Sequence, residues 1–116
     1  MNSVTLTGYL GNAPELGGAN GTPYARLSLA VSTRYKKEDG ERAERTDWFH
    51  VVAFDAVAKS LAKLGKGDLV GVVGRLRSNT WEKDGVSRTT VEVVAQSAGR
   101  DQAIHRRAHG ETLAAR

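Results

Sequence analysis

The segment Thr46-Asp-Trp-Phe-His-Val-Val-Ala-Phe54, running straight into Asp55-Ala-Val-Ala-Lys-Ser-Leu-Ala-Lys-Leu64, decides how the rest of the chain is read. Its first half has strand character, yet both faces carry bulk. Trp48, Val52 and Phe54 share one parity, and Phe49, Val51 and Ala53 share the other. Such a strand is either central in a packed sheet or buries one side and offers the other to a ligand. The second half changes period. Val57, Leu61 and Leu64 recur at i, i+4 and i+7, which predicts one short amphipathic helix capped by Asp55 and ended by Gly65.

Toward the N-terminus, strand signals dominate. In Val4–Leu10, Val4, Leu6 and Leu10 alternate with Thr5, Thr7 and Tyr9, a half-buried strand. In the second strand Ala25, Leu27, Leu29 and Val31 alternate with Arg26, Ser28, Ala30 and Ser32. The stretch between them, Ala13–Pro23, is rich in glycine and reads as a connection. Lys36–Glu44 is charged throughout and holds Asp39-Gly40, which predicts a long flexible hairpin. Beyond the helix, Leu69–Trp81 forms a fourth strand with Gly71 and Gly74 inside it. Lys83-Asp84-Gly85 turns the chain into a fifth strand, Val86–Val94, and after Ala95 the alternation stops.

Three strands, a helix and two strands is the order of an all-β, five-stranded OB-fold, a Greek-key barrel with one short helix between strands three and four. The expected division is a barrel domain over residues 1–97 and a flexible tail over 98–116. That tail mixes Arg100, Arg106, Arg107 and Arg116 with Asp101 and Glu111, and a short helix from Gln102 to His109 would bury little.

With 116 residues, no cysteine and a formal charge of +4, the composition excludes a disulfide framework and thiolate metal sites and favours anionic partners. No segment resembles a signal peptide or a membrane span, so the expected location is cytoplasmic, in association with the nucleoid. The seven aromatics are few, and several are interleaved with cations. Rings beside arginine and lysine are what stacking of unpaired bases between held phosphates requires.

Several stretches also resemble the bacterial single-stranded DNA-binding protein family, in order and over roughly residues 1–94. Asn2-Ser-Val-Thr-Leu-Thr-Gly-Tyr-Leu-Gly-Asn-Ala-Pro-Glu15 resembles its opening strand and turn, and Leu29-Ala-Val-Ser32 its second strand. Thr46–Phe54 resembles its Thr-Glu-Trp-His-x-Val-Val-x-Phe run, and Gly74-Arg-Leu-Arg-Ser-Asn-Thr-Trp81 its Gly-x-Leu-x-x-x-x-Trp. The resemblance implies homotetramers of OB-folds that hold single-stranded DNA, without a cofactor and without catalysis. It places Trp48, Phe54 and Trp81 at stacking positions, with Tyr35 where many members carry tryptophan. Arg77 and Arg88 match basic positions along the strand's path. The wider set of cations read as phosphate contacts is Arg26, Arg34, Lys36, Lys37, Arg45, Arg75, Arg77, Lys83 and Arg88.

The chain departs from the pattern in three places. Phe49 stands where histidine is common, and Phe49 with His50 are the candidate oligomer contacts. Asp55 replaces a frequent glycine. The family's usual acidic, phenylalanine-terminated tip, which recruits replication and repair proteins, has no counterpart in Thr112-Leu-Ala-Ala-Arg116.

Enzymatic readings fail on their parts. Gly65-Lys66-Gly67-Asp68 lacks the spacing and hydroxyl of a P-loop, and His105 with His109 lacks a third ligand, so no metal or cofactor is expected. The expected function is sequence-independent binding and protection of single-stranded DNA in replication, recombination and repair. The rival is an OB-fold replisome or primosome adaptor whose aromatic face docks proteins, with RNA binding as a third option.

Overall fold

The computed structural model describes residues 1–19 and 22–100. The elements are β1 (Val4–Leu10), β2 (Glu15–Ala19), β3 (Thr22–Lys36), β4 (Arg42–Phe54), α1 (Asp55–Leu61), β5 (Leu69–Lys83) and β6 (Val86–Arg100). The sheet runs β1-β5-β6-β4-β3-β2, and β1 also pairs with β3, which closes five strands into a barrel and leaves β2 as an appendage. Every pairing is antiparallel except β4 with β6, where Val51 and Val52 lie beside Val93 and Val94. The OB-fold expected from the order of elements is the fold observed, and α1 lies between the third and fourth strands of the closed barrel.

Alternation builds the core. Leu10, Leu27, Leu29, Val51, Val70, Val72 and Val93 point inward and are buried. The helix packs against β3, β4 and β6 and adds Ala58 and Leu61 to that core, with Leu64 following it. Removing these side chains from water supplies the main stabilisation, about 1.5–3 kcal/mol for each fully buried Val or Leu.

Four sequence expectations change. Glu15–Ala19 is a strand rather than connection, pairing from Glu15 opposite Arg26 to Ala19 opposite Thr22. Its low intrinsic preference is overridden because the start of β3 has a free edge, and Gly17 leaves the space that the Tyr24 ring fills. The charged hairpin is not a loose loop: β3 and β4 pair without interruption out to Lys36 opposite Arg42. Only Lys37–Glu41 turns, held by the Lys37 N–H on the Glu41 carbonyl oxygen (2.8 Å) and the Glu41 N–H on Asp39 Oδ1 (2.9 Å). The helix stops at Leu61, its N-cap is Phe54, and no side chain caps it. Asp55 instead opens the first turn with a φ of 53°, a left-handed backbone that favours glycine and tolerates aspartate.

The last change concerns β6, which continues to Arg100. Gly74 pairs with Ala95 but Val73 pairs with Ser97, so Gln96 is an extra residue, a β-bulge. The bulge moves the inward parity from Val93 and Ala95 to Ala98, which packs on the core. Alternation breaks off in the sequence because its phase is reset. Gly74 sits opposite this irregularity, where any Cβ would overlap the Val94 carbonyl oxygen.

Two ribbons extend past the barrel. Beyond Ala30 and Trp48, β3 and β4 pair only with each other among the described residues; beyond Leu76 and Val93, so do β5 and β6. The second ribbon ends in Asp84-Gly85, with φ of 53° and 77°, the primed turn that matches strand twist.

Candidate nucleic-acid interface

Cross-strand partners share a face, so the registers assign each outward side chain. Phe54, Val52, His50 and Trp48 point outward from β4, with Tyr24, Arg26, Ser28 and Ala30 opposite them on β3. Val52 lies beside Val94, and Val94 faces Arg75. The same face therefore continues along the β5–β6 ribbon through Arg77 with Glu92, Asn79 with Thr90, Trp81 with Arg88, and Lys83 with Val86. One wall, built from β3, β4, β5 and β6, carries three of the four expected rings.

Those rings are open. Trp48 is 61% exposed, Trp81 44% and Phe54 39%, values that exclude a role confined to the interior. Trp48 and Phe54 are also seated. The Trp48 indole rests on Gly11, where a Cβ would overlap its ring, and the Arg77 guanidinium lies 5.7 Å from the Phe54 centroid. Arg26 lies 5.5 Å from the Tyr24 ring in the same way. Planar cations over rings hold both groups in place, at about 0.5–1 kcal/mol each when exposed.

Between Trp81 and the β3–β4 side of the wall runs a groove of about 560 Å³, lined by Arg26, Ser28, His50, Asn79, Trp81 and Glu92 among others. Two acids line it, Glu15 and Glu92, and Glu92 is the one on the β5–β6 side. Its Oε1 accepts from Arg77 Nε (3.0 Å), Arg77 Nη2 (2.5 Å) and Asn79 Nδ2 (2.6 Å). Burial pushes this carboxyl up, but the bonds from Arg77 and Asn79 and the charges of Arg77 and Arg26 outweigh it. Its pKa lies below the ordinary carboxylate range.

The sequence candidates do not all converge. Arg26, Arg75, Arg77, Lys83 and Arg88 stand on the wall, and Arg34 and Lys36 share its parity along the β3–β4 ribbon. Tyr35 does not: it pairs with Ala43 and shares parity with Leu29, on the other side of that ribbon, although it is 48% exposed. Arg45 lies on Tyr35's side and is tied to Asp47 at 3.1 Å, and Lys37 stands in the turn. Phe49 and His50 face opposite ways, Phe49 on the core side and His50 into the groove. Sequence reading missed Glu92 and Asn79. The available signal was their spacing, since Asn79 keeps the parity of Arg77 and Trp81, and Glu92 that of Arg88. His105 and His109 lie outside the described residues, and among the described ones no cluster of metal-ligating side chains occurs.

A closed five-stranded barrel with rings and cations sorted onto one outer wall defines an OB-fold of the oligonucleotide-binding type. Comparison with known proteins specifies it further. The chain belongs to the single-strand binding protein family, whose profile matches residues 1–101.

Solved structures agree. The chain is similar to the small single-stranded DNA-binding protein from Streptomyces coelicolor, at 31% identity and a TM-score of 0.72, covering 89% of this chain and 98% of that one. A deletion mutant of the Thermus aquaticus single-stranded DNA binding protein gives 30% identity and a TM-score of 0.77. That match covers 86% of this chain but 50% of the other, so this chain spans about half of its length. A Plasmodium falciparum SSB solved in complex with single-stranded DNA gives 26% identity and a TM-score of 0.76, covering 84% and 90%.

Proposed function

We propose that this protein binds and protects single-stranded DNA, as a non-catalytic coat during replication, recombination and repair. The observation that carries the reading is the common wall of Trp48, Phe54 and Trp81, each ring open to solvent, with Arg77 over Phe54 and Arg88 opposite Trp81. Membership of the single-strand binding family and likeness to a relative solved with single-stranded DNA support it. Bases stack on Trp48, Phe54 and Trp81, at about 1–3 kcal/mol per ring. Arg26, Arg75, Arg77, Lys83 and Arg88 take the phosphates. Stacking accepts every base, so the binding is broadly tolerant of sequence.

The assembly proposed is a homotetramer acting in the cytoplasm on the nucleoid, and among the described residues no helix is long and apolar enough to cross a membrane. Phe49, half-buried on the core-side face, is the better placed of the two oligomer candidates.

Addition of oligo-dT is expected to quench tryptophan emission and to shift the protein on a native gel. Unchanged emission together with no shift at low salt overturns the reading. Light scattering tests the tetramer separately.

A further inference from the structure

A carboxylate in the middle of a wall meant for phosphates is out of place by charge alone. On the β5–β6 ribbon that wall presents Arg75, Arg77, Lys83 and Arg88, and Glu92 is the single acid among them. All three of its hydrogen bonds among the described residues fall on Oε1. No buried side-chain oxygen or nitrogen lacks a partner there, so Oε2, which has none, reaches solvent. Glu92 lines the groove beside Trp81, and the groove's volume falls within the range of about 300–1,000 Å³ that accommodates small ligands. Arg77 and Asn79 fix the carboxyl in one orientation, and held ionised at neutral pH it can only accept.

We infer that Glu92 Oε2 reads one base in this groove, accepting a hydrogen bond from an exocyclic amine and so favouring cytosine over thymine at that position. The inference rests on the single-strand-binding reading and qualifies its sequence tolerance. Cytosine presents N4–H₂ to an acceptor, the pairing expected between a carboxylate and cytosine. Thymine places the O4 carbonyl at that point. Its one donor, N3–H, lies between two carbonyl oxygens that repel the carboxylate. Both pyrimidines stack alike on Trp81, so the ring supplies affinity and Glu92 the choice. Edge recognition of a splayed, stacked base is the usual route to preference on single strands.

The test compares oligo-dC and oligo-dT of equal length, titrated at neutral pH and fixed salt, for the wild type and Glu92→Gln. The glutamine keeps an oxygen for Arg77 and turns Oε2 into a donor. The dC:dT affinity ratio is expected to fall by at least about fivefold in the variant, the lower end of a single base-edge discrimination. Any intrinsic difference between the two oligonucleotides cancels between proteins. A ratio within twofold of the wild type overturns the inference, as does an equal gain for both oligonucleotides, which would make Glu92 a plain negative charge. Where circular dichroism shows Glu92→Gln unfolded, the same ratio is read in Glu92→Asp, where retraction of the carboxylate must also lower it. Binding of neither oligonucleotide by the wild type overturns the single-strand-binding reading itself, a result distinct from retained binding without discrimination.

Discussion

The two ribbons that leave the barrel are alike in construction and opposite in sorting. Each is two antiparallel strands closed by an aspartate-glycine turn, and each carries cations and acids in similar number. On β5–β6, Arg75, Arg77, Lys83 and Arg88 share the Trp81 side, while Glu82 faces the other way with Leu76, Ser78 and Thr80. On β3–β4, Arg34 faces Glu44 on one side, and Arg45 is bound to Asp47 on the other, beside Tyr35. The contrast teaches that net charge says little about a binding surface. The face on which each charge falls says much more.

The largest expected effect tests the sorted wall. Trp48→Ala combined with Trp81→Ala should remove about 2–6 kcal/mol of oligo-dT affinity, at about 1–3 kcal/mol per ring, measured by anisotropy with labelled DNA. Retention of affinity within threefold would mean the wall is not where bases stack. Gly74→Ala attacks the point where the sorted ribbon joins the barrel. A Cβ there meets the Val94 carbonyl oxygen, and the urea midpoint should drop by the equivalent of about 1–3 kcal/mol.

Tyr35→Ala is the counterpart on the unsorted ribbon. It should cost less than threefold in affinity, and a loss as large as that of a single tryptophan would show that the DNA wraps around both sides of β3–β4. Salt dependence sharpens the contrast. Arg88→Ala should reduce the log–log slope by about 0.7, and Arg45→Ala, already occupied by Asp47, by clearly less.

The smallest effect concerns acid. The folded state lowers the pKa of Glu92, so its stabilisation is complete above the unfolded carboxylate value of about 4.3 and is lost as pH falls through the lower, folded value. Glu92→Gln should flatten the acid side of the stability profile, measured by urea midpoints at successive pH. A profile that keeps the wild-type acid slope would remove Glu92 from this role.

Much of the fold was legible because burial on one face writes itself as alternation. Val4–Leu10 and Ala25–Val31 show it plainly, and Val57, Leu61 and Leu64 mark the helix. Even the displacement of Tyr35 was present in the sequence, since it lies an even number of residues from Leu27, Leu29 and Val31. Glu15–Ala19 was hidden because glycine carries no pattern, and pairing with an open edge is a tertiary effect. The end of β6 was hidden by Gln96, which changes the phase without any residue type that announces it. Asn79 and Glu92 were hidden for a chemical reason. A search for cations and rings passes over the groups that hold the cations still.

Gln96 works as a frame shift written in backbone: upstream of it even positions look outward, and downstream they look inward. Length changes in the neighbouring ribbon are therefore quantised. Adding one residue to a single strand between the Asp84-Gly85 turn and the bulge would turn Trp81 or Arg88 to the wrong side. Two residues added to each strand would lengthen the ribbon while keeping both its cross-strand partners and the face they share. Variation in reach should come in such steps, leaving the barrel below undisturbed.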